Sequence, residues 1–285
     1  SGLVAGLSAP FMLVRSLLQA MRVLRRLRPA VVLGMGGYAA GPGGLAAWLM
    51  RYPLVLHEQN SVVGLTNQLL RPLALAMLFG FPGLAKTSNR REQFVGNPVS
   101  LNAASFDKDW SESELIVAEN PTKLNILVLG GSQGARALNQ TVTKFAASDY
   151  AKQTCNIWHQ CGKRLSAETQ SLIDELKVTN DYRLDGFIED MAAAYQWADL
   201  VVARAGALTI SELCMAAKPS ILVPLPSAAG DHQTSNANLL VAHHGAVLLP
   251  QSRLNVANLQ GAIDDLNSIK KRQQMAIAAN TLARP

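Results

Sequence analysis

The 285-residue chain has little cysteine and little charge. Its three cysteines, Cys155, Cys161 and Cys214, contain no CxxC pair and are odd in number. This argues against a disulfide framework or a cysteine zinc site and makes a reducing compartment the default. Charged residues make up 16%, yet no uncharged apolar run reaches the roughly 18 residues a membrane span needs. No GxxxxGK[ST] occurs, which removes a triphosphate P-loop. Signal-peptide features are missing, and the chain opens on Ser1, so it is expected to be a fragment. What is present is apolar material, 49% of residues. That fills cores for about two domains and excludes a disordered chain. The net charge of +6 favours an anionic partner.

Two halves repeat one grammar: a short apolar run, a glycine turn, a helical pattern. In the first half, Ala30–Leu33 and Leu54–His57 read as strands, with a helix at about Gly43–Met50. The second half offers strands at Asn125–Leu129, Asn156–His159, Tyr182–Leu184, Leu200–Ala203, Ser220–Val223 and Ala246–Leu249. Helices alternate with them from about Arg136 and at Leu165–Leu176, Met191–Trp197, Leu208–Ala217, His232–His243 and Val256–Asp265. Continuous apolar strands separated by helices predict buried parallel sheets. The expected fold is α/β, two doubly wound Rossmann-like domains: residues 1–100, a polar linker over 101–122, and 123–285. Such sheets bind ligands at the carboxyl ends of their strands.

Two glycine turns carry the chemistry. GGSQG (130–134) follows a strand and opens a helix, so its amides suit a phosphate. It does not fit GxGxxG. Gly34-x-Gly36-x-x-Ala39 fits the relaxed form, with Glu58 as the nearest acidic residue for a ribose. Gly130-x-Ser132-x-Gly134 also has the form of a serine-hydrolase nucleophile elbow, with Asp199 or Asp231 in the order such a triad requires. Further on, Asp199–Glu212 reads as strand, loop and helix. Amides at Ala207–Thr209 would face a phosphate there, and Glu212 the vicinal hydroxyls of a ribose. Thr209-x-x-Glu212 is equally a helix capping box. Asp107-Lys-Asp109, the one DxD spacing, lies in the linker and reads as solvated charge.

Eight segments occur together and in order: VVLGMGGYAAGPGGL (31–45), LVLHEQN (54–60), VGNPV (95–99), LGGSQGARALNQ (129–140), WHQ (158–160), FIEDMAAAY (187–195), AGALTISE (205–212) and DHQTSNA (231–237). With them the chain resembles the inverting GT-B glycosyltransferases of family 28 that add GlcNAc from UDP-GlcNAc to lipid I, undecaprenyl-diphosphate-MurNAc-pentapeptide, forming lipid II. The resemblance implies two facing Rossmann-like domains, no cofactor and no metal, and a peripheral enzyme on the cytoplasmic face of the bacterial inner membrane. Its anionic partner is then a membrane surface, not nucleic acid. For the donor it implies Ser132 at the diphosphate, the backbone of Ile188 at uracil, and Ala207, Leu208, Thr209, Ile210 and Ser211 along the nucleotide. Glu212 would hold the ribose, Gln233 the GlcNAc hydroxyls, and Asn60 would reach the donor from the first domain. Gly36, Gly37, Tyr38 and His57 would face the acceptor.

Two departures stand against the family pattern. The family's first glycine-rich loop, with the histidine expected as general base, has no counterpart here, so the fragment is expected to bind nucleotide without turnover. Ser100 stands where the GNPV motif is normally followed by arginine, with Arg90 and Arg91 as neighbouring candidates. Residues 10–28 form a basic amphipathic helix. Leu13, Leu17, Met21 and Leu24 are expected on its inward face, with Phe11, Arg15, Leu18, Arg22 and Arg26 elsewhere on the surface. With Trp48, these five make the candidate membrane patch.

Overall fold

The computed structural model describes residues 2–85, 91–101, 123–131, 134–179, 181–226 and 231–284, with side chains from residue 11 onward. The chain divides into two compact units, Ser1–Asn97 and Pro98–Pro285.

In the first unit, α1 (Gly2–Leu27) leads to β1 (Val32–Gly34), α2 (Gly37–Leu49), β2 (Leu54–Glu58), α3 (Leu65–Leu70), β3 (Ala76–Phe79) and β4 (Glu92–Phe94). The strands are parallel in the order β1-β2-β3-β4. The core joins Leu24 of α1, Ala46 and Ala47 of α2, Leu54 and Leu56 of β2, and Met77 and Phe79 of β3. α2 begins about six residues before the expected position. Its sequence, GYAAGPGGLAAWL, combines four glycines with Pro42, and these obscure the start of the helix. Packing overrides that propensity. A Cβ at Gly44 would stand 2.6 Å from Leu70 Cδ1, so the glycine lets α2 lie close on α3. Strands β3 and β4 and helix α3 were not anticipated; at three to six residues they are too short for periodicity to register.

The second unit runs β5 (Leu124–Leu129), α4 (Arg136–Ala146), α5 (Asp149–Thr154), β6 (Cys155–Gln160), α6 (Ser166–Glu175), β7 (Tyr182–Asp185), α7 (Met191–Trp197), β8 (Leu200–Ala203), α8 (Ala207–Met215), β9 (Ser220–Leu222), α9 (His232–Ala242), β10 (Val247–Leu248), α10 (Val256–Asp265) and α11 (Ile269–Asn280). Its six parallel strands lie in the order β10-β9-β8-β5-β6-β7. This is a doubly wound sheet whose order reverses between β5 and β8. Alternate β5 residues Leu124, Ile126 and Val128 pack with Leu138, Val142 and Phe145 of α4. Helix α11, also unanticipated, is tied in by polar contacts: buried Arg272 donates to Leu266 O and Asn267 O, and Asn280 Nδ2 to Cys214 O.

A chain of side-chain hydrogen bonds crosses this unit. Tyr182 OH lies 2.5 Å from His159 Nδ1 and 3.3 Å from Thr143 Oγ1, and His159 Nε2 lies 3.1 Å from Asn139 Oδ1. Asn139 Nδ2 in turn donates to Cys161 O. Burial pushes the His159 pKa down to about 3, so the ring is neutral at pH 7. Tyr182 OH donates to Nδ1, and Nε2–H donates to Asn139.

Candidate functional site

At a sheet's switch point, adjacent strands send their following helices to opposite faces, which opens a crevice at their carboxyl ends. Here those strands are β5 and β8. Beyond β5, Gly130 N–H donates to Gln160 O and Gly134 N–H to Gly131 O. Gly134 has φ +75°, and a Cβ on it would meet Cys161 O at 2.4 Å. Only glycine lets α4 enter this close to the end of β6. Ser132, on which both the phosphate and the nucleophile readings rest, lies outside the described residues.

Beyond β8, the loop Arg204–Gly206 opens α8. The N-cap is Gly206, which supplies no capping side chain, and the first helical bond runs from Ile210 N–H to Gly206 O. The amides of Ala207, Leu208 and Thr209 therefore precede the helical ladder, at its positive end. Thr209 sits three residues inside the helix, which overturns the capping-box reading of Thr209 and Glu212. Ile210 was expected along the donor. Its side chain is wholly buried and its amide is committed to Gly206, so it packs the helix down and has nothing left for a ligand. Ser211 Oγ donates back to Ala207 O.

Glu212 lies on the next turn. Tyr195 of α7, itself fully buried, donates its hydroxyl to Glu212 Oε2 at 2.9 Å. Burial raises the Glu212 pKa above the ordinary carboxylate value, and the Tyr195 hydrogen bond acts in the opposite direction. On α9, Gln233 Oε1 accepts from Leu225 N–H, which commits its oxygen to the segment after β9. Ile188 is buried between β7 and α7.

Asp199 corrects one triad assignment. Its Oδ2 accepts from Asn125 N–H, at the amino end of β5, whereas Ser132 follows the carboxyl end. Asn125 and Gly130, where the GGSQG turn begins, lie toward opposite ends of β5.

In the first unit, Gly36 (φ +79°) caps α2, again with no side-chain cap, and Tyr38 is 97% exposed. His57, expected to face an acceptor, is instead buried, with Nε2 2.9 Å from Gly96 O. Glu58 is 3% exposed. It accepts from Asn60 N–H and Nδ2, Gly64 N–H and Asn67 Nδ2. A carboxylate so enclosed organises the 59–64 loop and is not available to a ribose, which removes the relaxed dinucleotide reading. Asn60 is held in that same loop.

On α1, Leu24 is buried and Leu17 and Met21 are half-buried, but Leu13 is 62% exposed, not inward. Phe11, Arg15, Leu18, Arg22, Arg26 and Trp48 are all exposed. No described helix is long and apolar enough to cross a membrane.

Residues 125–284 match the glycosyltransferase family 28 C-terminal domain, and residues 1–79 its N-terminal domain. The chain belongs to glycosyltransferase family 28. A family 28 relative from Alkalilimnicola ehrlichii, named UDP-N-acetylglucosamine–N-acetylmuramyl-(pentapeptide) pyrophosphoryl-undecaprenol N-acetylglucosamine transferase, is 48% identical over all of this chain and 78% of its own length. One of the same name from Nitrosococcus oceani is 46% identical over 94% of this chain and 72% of its own. The crystal structure of Acinetobacter baumannii MurG superposes with a TM-score of 0.80 at 38% identity, over 97% of this chain and 76% of that one. The α/β fold with two parallel sheets is therefore the GT-B fold of family 28.

Sequence reasoning missed the roles of three residues. Tyr195, which holds Glu212, and Arg204, which ties the strand ends, carry no local signal, and Glu58 proves to organise its own loop in the first unit. The first two act through hydrogen bonds made across the fold, which no local spacing reports.

Proposed function

We propose that the chain carries the binding sites of an inverting hexosyltransferase, the reaction being transfer of GlcNAc from UDP-GlcNAc to the C4 hydroxyl of MurNAc in lipid I, yielding lipid II. The observation that carries this reading is the entrance to α8: three amides ahead of the helical ladder, an N-cap without a side chain, and Glu212 one turn on, held by Tyr195. The names of the relatives, nearly half identical over the whole chain, support the same substrates.

In this reading the acceptor hydroxyl attacks the anomeric carbon in line as the bond to UDP breaks, its proton passing to the general base that the resemblance places in the family's first glycine-rich loop, which has no counterpart in this sequence. The bonding pair leaves on the diphosphate, and the negative charge that grows there is met by the amides of Ala207, Leu208 and Thr209, together with Ser132. These amides are already oriented, so no reorganisation is needed as the charge develops. Glu212 accepts from the ribose hydroxyls, the Ile188 backbone recognises uracil, and Gln233 contacts the sugar. Gly36, Gly37 and Tyr38, at the uncapped start of α2, receive the lipid diphosphate. Phe11, Leu18 and Trp48, with Arg15, Arg22 and Arg26, rest on the anionic cytoplasmic face of the inner membrane as a peripheral contact.

Calorimetric titration with UDP tests the donor site. Glu212→Ala is expected to weaken UDP binding by about 1.5–3 kcal/mol, the worth of hydrogen bonds to a charged group. Unchanged affinity would remove Glu212 from the site.

A further inference from the structure

Arg204 directly follows β8 and is buried, 8% exposed. Its backbone N–H donates to Leu129 O at the end of β5, at 3.3 Å. Its guanidinium donates from Nη1 to Val223 O (3.0 Å) and Pro224 O (3.2 Å), and from Nη2 to Gln251 Oε1 (2.6 Å). One residue thus ties together the carboxyl ends of β5, β8 and β9 and the segment after β10.

All of these acceptors are neutral. Among the described residues no carboxylate lies within ion-pair distance of Arg204. An enclosed cation without a counter-ion is costly, and burial does lower the Arg204 pKa from its ordinary value. Guanidinium nevertheless stays charged in proteins. A cation kept in place by three neutral acceptors at a strand end is therefore a fixed positive charge waiting for an anion from outside the fold. Its place singles out the anion: Arg204 is two residues before the N-cap of α8, and its amide is bonded to the residue preceding Gly130.

We propose that Arg204 is a positioning residue of the donor site, whose anchored charge serves as counter-ion to the diphosphate while its fork holds the start of the α8 entrance against the segments after β9 and β10. The inference rests on the donor reading above and adds that this side chain selects nucleoside diphosphates over uncharged nucleosides. Lysine retains the charge but lacks the planar fork that reaches Val223, Pro224 and Gln251 together.

The test compares UDP with uridine on the intact chain, for wild type, Arg204→Met and Arg204→Lys, with thermal melts alongside. Wild type is expected to bind UDP more tightly than uridine. Arg204→Met should lose about tenfold in UDP affinity, as expected for a fixed charge removed from beside an anionic ligand, with uridine affinity nearly unchanged. Arg204→Lys should retain most of the UDP preference. Equal losses for both ligands, or no loss for either, would make Arg204 a structural clamp and overturn the proposal. If Arg204→Met does not fold, Gln251→Leu, which frees Nη2, reads the same ratio: a lower UDP preference supports the proposal and an unchanged one overturns it. Wild-type protein that binds no UDP would instead defeat the donor reading itself.

Discussion

The two units are both parallel α/β sheets and each buries a polar network, the first around Glu58 and Asn67, but they differ in what they expose. The second unit turns polar groups inward. The Thr143–Tyr182–His159–Asn139 chain crosses its interior, Trp158 Nε1 donates to Asp185 beneath the Arg183 guanidinium, and Arg204 spans three strand ends. The first unit turns apolar groups outward. Between α1, α2 and α3 lies an open groove of about 550 Å³, lined by Leu13, Val14, Leu17, Tyr38, Leu69 and Leu73 among others. Interior polar networks hold loops in one arrangement, as an anionic nucleotide site requires. Exposed apolar area beside arginines is what a lipid surface rewards. On this account one unit is built for precision at a charged ligand and the other for adhesion.

The widest test of that contrast is a triple charge reversal. If α1 rests on an anionic surface as proposed, Arg15, Arg22 and Arg26 would each contribute roughly 1 kcal/mol there. Arg15→Glu/Arg22→Glu/Arg26→Glu should therefore abolish flotation with anionic vesicles while UDP titration stays the same. Unaltered flotation would separate α1 from the membrane. Next in size is a pair of glycine substitutions. Gly134→Ala forces a Cβ to 2.4 Å from Cys161 O at φ +75°, whereas Gly83, at φ +86°, has nothing within 4 Å. Denaturant unfolding should show about 3 kcal/mol lost for the first, a clash plus backbone strain, and about 1 kcal/mol for Gly83→Ala, strain alone. Similar losses would mean that the second unit is no more tightly packed at its turns than the first.

A pH experiment is subtler. The His159 pKa is about 3 in the folded chain against an ordinary 6.5, so only the unfolded chain takes up this proton between those values. Its contribution to stability is complete above pH 6.5 and falls away below it, by about 1.4 kcal/mol at pH 5.5. Comparing urea midpoints of wild type and His159→Gln at pH 7.5 and 5.5 isolates it: the variant should lose less on acidification. An identical pH response would place the charge change elsewhere. The smallest effect is expected from Tyr195→Phe, which removes the hydroxyl on Glu212. It should narrow the preference for UDP over 2′-deoxy-UDP by about 1 kcal/mol, the worth of one hydrogen bond, without lowering affinity for the deoxy ligand.

The same contrast explains what could be read from the chain alone. Strand β8 and helices α7 and α10 have the expected boundaries, because each is a continuous apolar run or an amphipathic stretch closed by loop residues. The glycine loop that opens α8 was likewise legible as a strand-to-helix turn, since Gly206 closely follows the apolar run of β8. The first unit was harder. Its strands β3 and β4 span only four and three residues, and α2 forms against its own propensity because Gly44 packs on Leu70. Leu13 was assigned inward by a helical wheel, which knows the angle but not where the partner helix ends. The capping box at Thr209 failed for a related reason: the pattern fits, but the helix had already begun at Ala207. Tyr195, Glu58 and Arg204 owe their roles to partners 17, 9 and 47 positions away.

The account stands most directly on the amides at the start of α8, which NMR can follow one by one while UDP is added. The backbone resonances of Ala207, Leu208 and Thr209 are predicted to shift together and saturate with the calorimetric affinity, with those of Gly36, Gly37 and Tyr38 unmoved. Saturating UDP that leaves the three α8 amides in place would contradict the donor site at its foundation.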